Sequence, residues 1–293
     1  LKSSDIIVIG GGIAGLSAAS TLSKHARVTV LEAEGAVGYH SSGRSATMLH
    51  YALGDPLVRA LTHASRGFFE APPRDFTDVP LGHRMPVLIH SREDELAALD
   101  QLESAIAPFA QLERVDGAGI CELCPVVRTG EGAAVAGLVD RNGIRLDTHA
   151  LLQGHVRALR QNGGEIVTVA RAIKVERSGE VWTVTTEHRD SLAAPILINA
   201  AGSWADAVAT LGGVRPIGLA PLRRTIITFD APDGEDLSGW PFAKTVGDEL
   251  YFAPESGRLF ASPMDEGLPT PATPSPMNMR SRSRLTGSRN APP

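Results

Sequence analysis

Residues 5–32 read DIIVIGGGIAGLSAASTLSKHARVTVLE, and the reading of this stretch decides the fold. Asp5–Ile9 is a short apolar run rich in β-branched residues, the pattern of a buried parallel strand. Gly10, Gly12 and Gly15 follow as G-x-G-x-x-G. The first permits a tight turn, the second lets backbone approach a pyrophosphate, and the third lets the next helix pack closely on the sheet. Ile13, Leu16, Ala19 and Leu22 recur at helical spacing, and the start of that helix offers free N–H groups to phosphate. Arg27–Leu31 reads as the second strand and ends at Glu32. This acid lies about 20 residues past the central glycine, where a carboxylate accepts both ribose hydroxyls of an adenosine and repels a 2′-phosphate. The alternative, a chance glycine turn, explains neither the flanking strand and helix nor the acid.

The 293 residues suffice for one large α/β domain or two medium ones. A 43% hydrophobic and 21% charged composition is that of an ordinary globular chain. The net charge of −5 argues against a nucleic-acid partner. No apolar run approaches the roughly 20 residues of a membrane span, and the first strand begins without a signal-peptide pattern, so a cytoplasmic location is expected. Cys121 and Cys124 form a lone C-x-x-C without a second ligand pair or a thioredoxin-like surround; two inert thiols are expected, and no metal site.

After Glu32 the chain reads GAVGYHSSGRSATMLHYALG, a polar, glycine-rich connection where an NAD domain would continue its βα alternation. Here the sequence resembles the D-amino-acid oxidase (DAO) superfamily of FAD-dependent oxidoreductases, most of all its bacterial D-arginine dehydrogenase-like and related D-amino-acid dehydrogenases. The matching stretches are IIVIGGGIAGLSAA, VLEAEGAVGYHSSGRSA, GDPLVRALTHASRGFFEAPP, LINAAGSWAD and GVRPIGLAPLRR, and the likeness runs to about Asp265. It implies an α/β fold: a Rossmann-type FAD/NAD(P)-binding domain interleaved with an α+β substrate domain. The expected FAD-binding parts are 1–55 and 142–208; 56–141 and 209–268 form the substrate domain.

The resemblance also implies site residues. Gly10, Gly12, Ile13, Ala14, Gly15, Glu32 and Ala33 hold the ADP portion of FAD. Ser41, Ser42, Gly43, Arg44 and Ser45 run beside its pyrophosphate and flavin, with a surface ion pair the alternative for Arg44. Val169 and Ala170 meet the adenine by backbone. Ala200, Ala201 and Gly202 let backbone reach the cofactor, and Trp204 shields it or is a plain core tryptophan. Arg224, on a strand starting at that residue, and Tyr251, on a neighbouring one, pin a substrate carboxylate through paired hydrogen bonds; two surface arginines and a packing tyrosine are the alternative. His50 and Tyr51 orient the amine, although a lone histidine is more often structural.

The implied reaction is hydride transfer from the Cα of an amino acid to FAD, with release of an imino acid and an unidentified electron acceptor, oxygen or a quinone. Arginine-oxidising relatives place a carboxylate where this chain has Val87, and Met48 and Leu53 replace polar positions. An apolar or small amino-acid substrate is therefore expected. A hydroxy acid or glycerol phosphate is the second enzyme reading, and a truncated, inactive FAD binder the third.

Residues 269–293 are rich in Pro, Ser, Thr and Arg without apolar periodicity, and read as disordered. A flexible tail and a basic arm are two explanations; the preferred one is a frame-shifted remnant. Moved by two bases under GC-rich codons, the tail acquires an acidic turn and a helical apolar pattern. On that reading the family's C-terminal part is missing.

Overall fold

The computed structural model describes residues 2–231, 234 and 236–266; the expectation for 269–293 lies outside the described residues. Four short strands form an all-parallel sheet in the order Glu165–Val167, Val28–Leu31, Ile6–Ile9, Ile196–Asn199. Successive side chains of a strand face opposite ways. Ile6 and Val8 accordingly pack with Ala19, Val30 and Leu159 on the helical face. Ile7, Ile9 and Leu31 meet Val184, Leu192 and Ala194 on the other.

The helical face carries Ile13–Leu22 and Thr148–Gln161, packed on each other. The second helix starts where the Asp147 side chain accepts the Ala150 N–H at 2.8 Å. It stops at a glycine pair: the Gly164 N–H bonds to the Leu159 carbonyl and the Gly163 N–H to that of Arg160, both at 2.9 Å, with Gly163 at φ +78°. The opposite face is covered by an antiparallel sheet of Ala172–Ser178, Val181–Thr186 and Ser191–Ala194, extended in parallel by Lys2–Ser3.

A separate seven-stranded sheet runs in the order Ile227–Asp230, Arg258–Ser262, Tyr251–Glu255, Phe242–Thr245, Val87–Ser91, Ala136–Asp140, Glu113–Asp116. One face buries Val87, Ile89, Leu138, Phe242 and Phe260 with Tyr51 and the helix Leu96–Ile106. The other buries Leu88, Val139, Ala243 and Leu259 against the helix Gly117–Leu123. Between the two bodies, Met48–Leu49 and Gly82–Arg84 flank Ile144–Leu146 in a small antiparallel sheet.

The expected strand from Arg224 starts three residues later, at Ile227. Its ladder partner explains the delay. Ile227 pairs with Ala261, so Thr225 falls opposite Pro263, which has no N–H to give. Thr225 bonds instead to the Asp265 carboxylate at 2.7 and 2.8 Å. Glu93–Glu95 forms a 3₁₀ turn that leads into the helix Leu96–Ile106, which ends ahead of Pro108. Cys121 is exposed and Cys124 buried, both as free thiols, and burial pushes the Cys124 thiol up to about 12. Among the described residues no helix is long and apolar enough to cross a membrane.

Leu159 touches no solvent and wedges the helix end against the parallel sheet. Leu159→Ala is expected to cost about 2–5 kcal/mol through the void it leaves. Urea denaturation should show a lower midpoint at unchanged m-value.

Candidate functional site

The glycine loop closes the C-terminal ends of the first two parallel strands. Gly10 sits at φ +111°, and a Cβ there would lie 2.3 Å from the Ala200 carbonyl oxygen. A Cβ on Gly15 would lie 1.9 Å from the Gly10 oxygen. The absent side chains set how near the helix comes to the strand, and so where its N-terminal N–H groups point. Ile13 and Ala14 form that first turn; the Ile13 N–H donates to Ser42 Oγ at 3.0 Å.

Glu32 is buried, and both its oxygens are engaged. Oε2 accepts the Gly11 N–H at 2.7 Å and Oε1 the Glu34 N–H at 2.8 Å. Each carboxylate oxygen keeps a further lone pair for a ligand hydroxyl. Opposite, the Ala170 N–H bonds to the Glu32 carbonyl at 2.8 Å and the Val169 N–H to that of Glu34 at 2.9 Å. Val169 is held at φ +52°, a conformation that β-branched residues rarely adopt.

These elements surround a cavity of about 240 Å³. Of the sequence-derived residues, Gly10, Gly12, Glu32 and Ala33 line its loop side, and Ser41 and Ser42 its lip. Ala170, Ala200, Ala201, Gly202 and Trp204 form the far wall. Gly15 lies behind Gly10, and Val169 outside the wall. Sequence reasoning missed a polar corner, where Glu34 meets His40 at 3.1 Å and Arg171 at 3.4 Å, with His40 packed 4.6 Å from Trp204. The only sequence signal for Glu34 is its place two residues past Glu32.

A second cavity, about 610 Å³, continues from the same segment: Gly43, Arg44 and Ser45 line it, directly after Ser41 and Ser42. Arg44 makes no salt bridge among the described residues, and its Cζ sits 4.8 Å above the Tyr39 ring. The seven-stranded sheet contributes Pro254 and Phe260 to the wall. Arg145, which sequence reasoning also missed, lies over Phe260 at 4.7 Å and donates to Glu255 at 2.6 Å. Its Nη1 is buried without a hydrogen-bond partner among the described residues.

Of the four residues assigned to substrate, Tyr251 and His50 meet at one ring, that of Phe242. Tyr251 stacks on Phe242 at 5.2 Å, and His50 lies 5.6 Å from the same ring. Arg224 stands apart, its guanidinium 3.4 Å from Glu266. Tyr51 stacks on Phe109 and meets His63. Burial, reinforced by the Lys244 cation, holds the His50 imidazole down at about 4.

The donor set fits a dinucleotide: helix N–H groups and Ser42 for a diphosphate, Glu32 for a ribose, and an apolar wall for an aromatic base. Gly15→Ala is expected to abolish dinucleotide binding, read by flavin fluorescence titration, since the added carbon meets backbone. Glu32→Gln turns an NH₂ toward one of two N–H donors; it should weaken binding at least tenfold and destabilise the fold by about 1–3 kcal/mol. His50 makes a pH prediction. Its folded pKa lies below the unfolded value of about 6.5, so the unfolded chain binds the extra proton between about pH 6.5 and 4. Stability should fall by about 3 kcal/mol across that window as pH drops. His90 and His155, also lowered by burial, act in the same direction. His50→Gln should flatten the slope in denaturation titrations.

Comparison with known proteins agrees with this geometry. The family model "DAO: FAD dependent oxidoreductase" matches residues 5–286, past the point where the motif likeness ends. Glycerol-3-phosphate dehydrogenase 1 of Mycobacterium tuberculosis is 26% identical, over 91% of this chain and 54% of the relative. This chain thus spans about half the length of that curated relative. Among solved structures, glycine oxidase from Geobacillus kaustophilus superposes with a TM-score of 0.77 at 18% identity, covering 91% of this chain and 73% of that one. FAD-bound L-alpha-glycerophosphate oxidase from Mycoplasma pneumoniae gives 0.75 at 19%, covering 90% and 71%. The protein belongs to the DAO family of FAD-dependent oxidoreductases.

Proposed function

We propose that the chain oxidises the C–N bond of an amino acid, a D-amino acid with an apolar or small side chain, in the manner of the D-arginine dehydrogenase-like branch. The observation that supports this is the adjacency of the two linings along one segment, Ser41 and Ser42 in the cavity of Glu32 and Gly43–Ser45 in the cavity that Phe260 of the seven-stranded sheet walls. FAD, when bound, supplies the two-electron acceptor. The helix start and Ser42 hold its diphosphate, and Glu32 its adenosine ribose. Gly43, Arg44 and Ser45, which line the second cavity, would flank the redox end of the cofactor. Strand membership supports 1–55 and 142–208 as the cofactor domain and 56–141 and 209–268 as the substrate domain, since each of the larger sheets draws only on one pair.

Phe242, Tyr251 and Phe260 form a row of rings with Val87 in the same core, and of these Phe260 reaches the lining of the second cavity. By the resemblance, Val87 aligns with the carboxylate that receives a cationic side chain in arginine-oxidising relatives. Arg44, which makes no salt bridge among the described residues, gives the second cavity a positive charge that suits a substrate carboxylate, whereas Arg145 there is paired with Glu255. The product imino acid is hydrolysed by water to a 2-oxo acid and ammonia. Electrons then pass to oxygen or a quinone.

The same positive charge favours a second reading, oxidation of a glycerol phosphate, which the names of two of the relatives above support. A third reading, kept from the sequence, is an FAD binder without turnover.

Anaerobic titration distinguishes the three. On the leading reading, D-alanine, D-proline or D-leucine bleaches the flavin absorbance of the FAD-loaded protein, and D-arginine and glycerol 3-phosphate do so at least tenfold less well. A clear preference for D-arginine overturns the side-chain assignment. Bleaching by glycerol 3-phosphate alone selects the second reading, and none with any substrate the third.

A further inference from the structure

Lys244 is the most deeply buried lysine, 4% exposed, in the middle of the seven-stranded sheet. It sits opposite Tyr251 in the strand register, on the face that carries Phe242. Its Nζ donates to the Ala52 carbonyl at 3.3 Å and pairs with Asp248. Asp248 reaches back from the hairpin turn, where it is held at φ +57°. Thr245 Oγ1 pins the same turn by accepting the N–H groups of Glu249 and Leu250 at 2.9 and 3.2 Å. A buried ammonium retained at such a place, with its counter-charge brought in by a strained residue, needs an explanation beyond packing.

Ala52 supplies it, through the two peptide groups on either side of its Cα. While its carbonyl accepts from Lys244, its N–H donates to His50 Nδ1 at 3.2 Å. A ring nitrogen that accepts an N–H carries no proton, so the proton of the neutral imidazole sits on Nε2. Among the described residues, the charges acting on this ring are Lys244 and Asp248, with opposite sign. We propose that Lys244 is a positioning residue: by gripping Ala52 it fixes His50 as the neutral Nε2–H tautomer, a hydrogen-bond donor and not a base.

The functional consequence rests on the reading that His50 faces the substrate. A histidine locked in this form cannot take a proton from the amine at Nε2, but it can donate to a carboxylate oxygen or to a bound water. The amine must then arrive neutral. The structural part of the proposal stands without substrate or cofactor, and its test needs neither.

The test is a pH series of ¹⁵N-histidine NMR spectra of the full chain, comparing wild type with Lys244→Met, Lys244→Arg and Asp248→Asn. In wild type, His50 should show an unprotonated Nδ1 and a protonated Nε2, and should not titrate between pH 5.5 and 8. Lys244→Met should raise the His50 pKa and mix the tautomers, and Lys244→Arg should restore the wild-type pattern. Asp248→Asn changes the exposed partner in the turn and keeps the Lys244 contact with Ala52, so it provides a second readout if Lys244→Met does not fold; it should move the His50 pKa further down. A protonated Nδ1 in wild type, ordinary titration near pH 6.5, or no response to either loss variant overturns the assignment. In the FAD-loaded protein, the acid limb of the reductive rate should follow the NMR shift in each variant. Tautomer changes without any change in that limb leave Lys244 in place but refute the role of His50 toward substrate.

Discussion

Everything at the cofactor cleft depends on one contact in which two backbones meet without side chains. Gly15 packs against the Gly10 carbonyl so closely that a single methyl group would collide with it. That approach aims the helix start at the cavity instead of at its own strand, and it brings Gly11 within reach of Glu32. The carboxylate is therefore more than a ligand for ribose. It ties the glycine loop to the turn after the second strand, and the Ala170 and Val169 amides tie that turn to the opposite wall. Rigidity of this kind keeps the donors in position before a ligand arrives, so little ordering is left for binding to accomplish.

The remainder of the architecture serves to place a second surface over the far end of this cleft. The small sheet that joins Met48–Leu49 to Ile144–Leu146 belongs to neither body alone, and both cavities share the segment leading into it. Arg145 extends from this junction to Phe260 and Glu255 of the large sheet. A displacement at that seam would change the two cavities together.

Much of this was legible in residues 5–32, because a buried parallel strand, a glycine turn and a terminal acid are local patterns with strict spacing. The start of the Arg224 strand was not legible. It depends on Pro263, nearly forty residues on, falling opposite Thr225 in the ladder. Arg145, Glu34 and Lys244 also escaped notice, since each gains its role from a partner that only the folded chain brings near. Local pattern reveals backbone sites; pairings between distant side chains leave no periodic trace.

The interleaving of the parallel sheet has a consequence for synthesis. The strand Ile6–Ile9 emerges first, yet one of its two neighbours, Ile196–Asn199, is among the last strands of the parallel sheet to leave the ribosome. The wall built from Ala200 to Trp204 follows directly after it. A nascent chain that has completed the glycine loop therefore carries an open sheet edge and half a cleft through most of its translation. Its folding is governed by non-local closure, the slow and association-prone regime, and the dinucleotide can act as a template only once residues 196–204 have been made.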